Sequence, residues 1–231
     1  NDQAVEIERM NKILVSLSED PRATLAAGLF DAEHAIMNMR LLESQQKPTG
    51  FFDPNNPINL GGETLKEEKD EEADDNPKTV VAAANARRYP LLSFSNTDMA
   101  FSESILVTGS YHGFNIYELN EEGHPVLATS VVCPGGQGDV SIVGHLLIMS
   151  VEQSRGRVDC GLQGVTEDVS EERFRGIRIF DISDISQPIQ VGAVQTCRGS
   201  HTHSVVSGPD LNGNILVYNS GISWVREEEE L

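Results

Sequence analysis

Gly176-Ile177-Arg178-Ile179-Phe180-Asp181-Ile182 is a short apolar run that opens on a glycine, and it restates Gly113-Phe114-Asn115-Ile116-Tyr117-Glu118-Leu119 from earlier in the chain. The runs around it repeat as well. Ile105-Leu106-Val107-Thr108-Gly109 returns as Leu146-Leu147-Ile148-Met149-Ser150, and Pro125 to Cys133 returns as Pro188 to Cys197. Asp98 matches Asp139 at a spacing of 41, and Asp139 matches His203 at a spacing of 64, the excess coming from about 22 residues added between Glu152 and Phe174. A third copy begins with His203-Ser204-Val205-Val206 and Asn214-Ile215-Leu216-Val217-Tyr218. Apolar runs punctuated by Gly, Asn, Ser and Pro read as strands. A period near 40 residues holding four short strands is that of a propeller blade, which buries its faces against its neighbours. The expected fold is therefore all-β: an incomplete β-propeller of four-stranded blades over residues 91–231, two complete and a third partial. Closure takes roughly four to eight blades, supplied by chain beyond Leu231 or by other chains.

Upstream the pattern changes. Val5, Ile7, Met10, Ile13, Leu14 and Leu17 recur at helical spacing until Ser18-Glu19-Asp20-Pro21 interrupts them. Pro21 suits the first turn of a second helix, through Leu25, Leu29, Ala32, Ile36, Met39 and Leu42. Residues 1–47 are thus predicted to be a helical N-terminal extension, whose apolar stripes pack on their own domain or on a partner. Residues 48–90 read as an acidic, proline-rich linker. Glu63 to Asp75 carries eight acids and two lysines, too little apolar surface to offset the entropy of ordering it. Phe51 and Phe52 are placed to pin the preceding segment to a neighbouring surface.

The charge narrows the partners. With 17 Lys plus Arg against 36 Asp plus Glu, the 231 residues carry −19, and nucleic-acid affinity needs the opposite sign. Nucleic acid is excluded as a partner, and no apolar run approaches the 18 to 20 residues of a membrane span. Residues 91–231 hold seven bases, all of them Arg, the residue suited to planar, bidentate contacts.

Gly176 to Pro188 with Val191-Gly192, and Gly138-Asp139-Val140-Ser141-Ile142-Val143-Gly144 leading to Leu146-Leu147-Ile148-Met149, resemble the LVIVD-repeat β-propeller proteins of bacteria. Cys133-Pro134-Gly135-Gly136-Gln137-Gly138-Asp139-Val140, Asp159-Cys160-Gly161 and Thr196-Cys197-Arg198-Gly199-Ser200-His201-Thr202-His203 look like an exported subgroup of them. The resemblance covers Leu91 to about Trp224, and Ala26 to Pro54 faintly. It implies a repeat protein of the cell envelope and says little about activity.

In a propeller the connection from an outer strand to the next inner strand shares an end with the loop between second and third strands. Cys133 lies in the first kind of connection and Cys160 in the insertion of the blade it leads into, so a Cys133–Cys160 disulfide is feasible; the alternative is a pair of small buried hydrophobes. Cys133 and Cys197 occupy equivalent points of adjacent blades, beyond the roughly 7 Å reach of a disulfide. Cys197 is left free or paired downstream. Asp98, Asp139 and His203 open the inner strands and should ring a channel mouth. His201 and His203, two apart on an extended strand, project to one side and suit a transition-metal ion, or else they bond backbone groups there. Arg198 beside them pairs with Asp139 or holds an anionic ligand. Candidate ligand-binding residues are therefore Asp139, Arg198, His201 and His203, the two histidines also being metal candidates.

No phosphate loop, nucleophile elbow or His-Glu-x-x-His zinc motif occurs, and His34, His112, His124 and Ser220 have no partners at telling spacing. The favoured reading is a non-enzymatic, exported β-propeller, periplasmic or extracellular, that serves as a protein-binding or scaffold subunit of a cell-envelope assembly, with association through its N-terminal helices as a further route. A chain starting at Asn1 fits removal of a signal peptide. The alternative is a metal-dependent enzyme with a His/Asp site at the channel mouth.

Overall fold

The computed structural model describes residues 5–12, 20–28, 31–51, 96–153, 156–165, 167 and 169–222. The chain divides into two compact units, Asn1–Gln46 and Lys47–Leu231. The acidic tract from Glu63 to Asp75 and Phe52 lie outside the described residues.

Within the first unit a short helix, α1, spans residues 5–12, with a Glu8–Lys12 ion pair one turn apart at 3.3 Å. The remainder of the first predicted helix lies outside the described residues. The second predicted helix does not form. Asp20 instead bonds the backbone and guanidinium of Arg22, residues 21–24 make a turn, and no helix follows in the described residues to 46. The physical reason lies in burial, because a helix of this length is held chiefly by packing of its apolar face, and Leu25, Ile36, Met39 and Leu42 are all exposed. Glu33 closes the backbone at Ala26 through both its amide and its carboxylate, a local bond that competes with helical ones.

In its described residues the second unit is all-β and antiparallel. One sheet runs in the order β1 (Asn96–Ser102), β2 (Ile105–Ser110), β3 (Gly113–Leu119), β4 (Pro125–Val132). A second follows in the same order: β5 (Val140–Val143), β6 (Leu146–Val151), β7 (Gly176–Asp181), β8 (Ile189–Gln195). A third holds β9 (Thr202–Ser207) and β10 (Leu216–Ser220). Among the described residues the sheets do not close on themselves.

The repeat read from sequence coincides with these sheets strand for strand. Asp98 pairs with Gly109, the Asp139 carbonyl accepts from the Ser150 amide, and His203 pairs with Asn219, so the three residues matched in sequence open the three first strands at one register. The third-to-fourth strand pairing slips once in each full sheet, after Ile116 and after Ile179. Each third strand opens on a glycine with φ of 138° (Gly113) or 148° (Gly176), where a Cβ would lie 2.0 Å or 1.9 Å from the carbonyl of Val131 or Val194. Only glycine admits that approach.

The core lies between the first and second sheets. Val107, Phe114, Ile116, Val140, Leu147, Met149, Phe180 and Ile182 form it, with Phe114 meeting Phe180 edge to face at 4.9 Å. Phe51 is fully buried, its ring edge-on to His112 at 5.4 Å, a contact made within the second unit. First strands also neighbour one another, β1 beside β5 and β5 beside β9. Asp98 Oδ2 accepts from the Val140 amide at 2.9 Å, tying two of them. Asp98→Ala is expected to cost about 1 kcal/mol, read as a lowered urea midpoint with unchanged slope; an unchanged midpoint would show that this tie contributes nothing.

Candidate functional site

Three loops meet at one end of the second and third sheets: residues 133–139 entering β5, residues 152–175 between β6 and β7, and residues 196–201 entering β9. They are joined by backbone bonds. Gly135 O accepts from the amides of Glu152 and Gln153 at 2.9 and 2.7 Å, Val151 O accepts from Ser200 N at 2.9 Å, and Arg175 O accepts from Thr196 N at 2.9 Å. The Cys133–Cys160 disulfide forms as expected, with Cα atoms 4.5 Å apart. Cys197 is free and exposed.

His203 sits at the centre of the cluster. Its side chain is buried, and Asp139 Oδ2 receives the His203 amide at 2.8 Å while also lying 2.9 Å from Nδ1. Ser150 Oγ is 2.8 Å from the same nitrogen and 2.7 Å from Ser200 Oγ. Chemistry follows from that crowding on one atom. A carboxylate against Nδ1 calls for the proton on Nδ1, so that nitrogen donates to Asp139 and cannot take a proton from Ser150. Nucleophilic serine catalysis needs the hydroxyl on the opposite ring nitrogen, and here Nε2 is buried without a hydrogen-bond partner among the described residues. Burial resists ionisation of Asp139, but bonds from the His203 ring and amide and from Thr202 outweigh it, holding the carboxyl below the usual aspartate range.

His201 stands apart. It precedes β9, is a third exposed, and its Nδ1 contacts the Glu152 carboxylate. Each histidine is thus held by its own carboxylate, and among the described residues no group of three His, Cys, Asp or Glu side chains converges in a way that would hold a metal ion. Arg198 is exposed and, among the described residues, makes no ion pair with Asp139, whose bonds go to His203 and Thr202.

Sequence reading missed Ser150, Glu152, Ser200 and Arg178. The first three act only across sheets, which linear spacing does not reveal. Arg178 had a visible signal: counted from Gly176, it occupies the place that Asn115 holds after Gly113, a cation inside an apolar strand. It is fully buried in β7. The insertion beside it is braced by Arg157, which bonds Asp159 at 2.8 and 3.0 Å and Glu172 through Nη1; those bonds push the Asp159 carboxyl far down.

No family model and no curated protein matches the chain. Among solved structures there is similarity to the crystal structure of the computationally designed Ika4 protein, at 15% identity over 55% of this chain and 92% of that one, with a TM-score of 0.20. Among the described residues no helix is long and apolar enough to cross a membrane.

Proposed function

We propose that this chain is part of an exported β-propeller of the LVIVD-repeat type that acts without catalysis as a protein-binding scaffold in a cell-envelope assembly. The cross-tied loop cluster carries the reading. Its loops are fixed to one another by a disulfide and by backbone bonds, and the insertion is braced within itself by the Arg157 ion pairs, so a partner would meet a surface already ordered, with little entropy lost on docking. The insertion presents Val158, Leu162 and Val169 to solvent, and apolar groups rimmed by charge are the usual anchors of protein contacts. Equivalent register in successive sheets supports the propeller, in which neighbouring blades would cover Met99, Phe101, Val206 and Tyr218, all exposed here. A disulfide between Cys133 and Cys160 suits an oxidising compartment.

Changing Val158, Leu162 and Val169 together to Asp in the full-length protein is the test. Envelope proteins cross-linked to the parent should fall at least tenfold in yield, with the far-ultraviolet spectrum unchanged; undiminished cross-linking sinks the scaffold reading. Removing residues 1–47 separates the other route, since cross-linking then survives if the loops rather than the N-terminal segment make the contact.

One observation favours the metal-enzyme alternative. His203, whose Nδ1 faces a carboxylate and whose Nε2 has no hydrogen-bond partner among the described residues, has the outer-shell arrangement found behind metal ligands. A stoichiometric transition metal in the full-length protein, lost in His203→Ala, would favour the enzyme over the scaffold.

A further inference from the structure

Arg178 is the bulkiest fully buried side chain among the described residues, and no carboxylate there lies within ion-pair distance of it. Its Nη1 bonds the Cys133 carbonyl at 3.3 Å and contacts Cys133 Sγ, its Nη2 bonds the Arg157 carbonyl, and the Phe174 ring lies 5.3 Å from its guanidinium carbon. Burial pushes the group down to about 10, so it is still a cation at neutral pH. Carbonyl dipoles and an aromatic face replace lost hydration only in part. The Asp159 carboxylate offsets part of that cost from a distance but is bonded to Arg157, and among the described residues no anion touches the guanidinium.

Cys133 Sγ is the atom placed to become one. The two sulfurs differ in access: Cys133 is completely buried and Cys160 is partly exposed. An incoming thiolate therefore meets Cys160, and Cys133 is the leaving group. Cys160 is also held at a φ of 59°, a left-handed backbone that costs a non-glycine residue of order 1 kcal/mol or more. The cation at the Cys133 end favours opening of the bond by stabilising the departing thiolate.

We propose that Cys133–Cys160 is an exchangeable disulfide whose co-substrates are small thiols, with Arg178 as the positioning residue that receives the departing charge. A thiolate RS⁻ attacks Cys160 Sγ, forming R–S–S–Cys160 while the electron pair of the broken bond leaves on Cys133 Sγ beside the guanidinium. A second thiolate attacks the R sulfur of that mixed disulfide, releasing RSSR and the Cys160 thiolate, which takes a proton. Two thiols are oxidised, the protein disulfide gains their two electrons, and Cys133 stays ionised. A nearby cation lowers a thiol pKa, and a leaving thiol of lower pKa departs faster.

The measurement is the thiolate absorbance of the full chain carrying Cys160→Ser and Cys197→Ser, which leaves Cys133 as its single thiol. Its titration midpoint is expected at least one unit below the ordinary value of about 8.5. A midpoint at or above that value, as burial alone produces, overturns the proposal. In a Cys197→Ser background, equilibrium with glutathione redox buffer supplies the second reading. Arg178→Lys should hold the equilibrium constant within about threefold, and Arg178→Met should shift it at least tenfold toward the disulfide. A folded Arg178→Met protein whose constant stays within threefold of the parent overturns the role given to Arg178; if that variant does not fold, the titration midpoint decides.

Discussion

Phe114→Ala is expected to lower the unfolding free energy by about 3–5 kcal/mol. The side chain is fully buried in β3 and sits across from Phe180 of β7, so its removal takes apolar contacts from two sheets at once. Glycine-fixed third strands on both sides leave little freedom to collapse into the void. Phe180→Ala should cost a similar amount. The double variant should fall short of the sum by about 0.5–1.5 kcal/mol, the usual coupling of an edge-to-face pair. Phe101→Ala is the reference, because Phe101 is 61% exposed and should change stability by less than about 0.5 kcal/mol. Denaturant unfolding with the disulfide intact reads all four. A Phe114→Ala loss no larger than that of Phe101→Ala would mean that the two sheets do not share a core.

That core was legible in the sequence because strand repeats keep their spacing when the connections vary. The Ile116 and Ile179 bulges fall at the same offset from their glycines, and matching Leu106 to Leu147 and Gly113 to Gly176 is enough to place an insertion of any length between them. The cysteine pair was legible for a related reason, since strand alternation alone puts both connections at one end. The loops' own chemistry was not. Glu152 meets His201, and Ser150 and Asp139 meet His203, only because β5, β6 and β9 come together, and residues 49 to 64 positions apart carry no common signature in sequence. The second predicted helix failed for the opposite reason. Periodicity from Leu25 to Leu42 reports what a helix would bury, but formation depends on a surface to bury it against, and these residues remain exposed.

Asp139→Ala is expected to cost about 2–4 kcal/mol, more than Asp98→Ala, although the two residues open successive sheets in the same register. The difference lies in what each carboxylate satisfies. Asp98 accepts from one backbone amide, that of Val140. Asp139 accepts from the His203 amide, faces the His203 ring and also receives Thr202. Losing it leaves a buried imidazole with only Ser150 at Nδ1, and an orphaned buried donor costs its full desolvation. The pH dependence has a definite sign. Because the folded carboxyl lies below its unfolded value, its contribution is complete above about pH 5 and is lost as pH falls through the folded pKa. Stability of the parent relative to Asp139→Asn should therefore shrink as pH falls below about 4. A difference that stays level down to pH 2 would mean that the Asp139 charge does not hold His203, and with it would go the electrostatic account of how β5 grips β9.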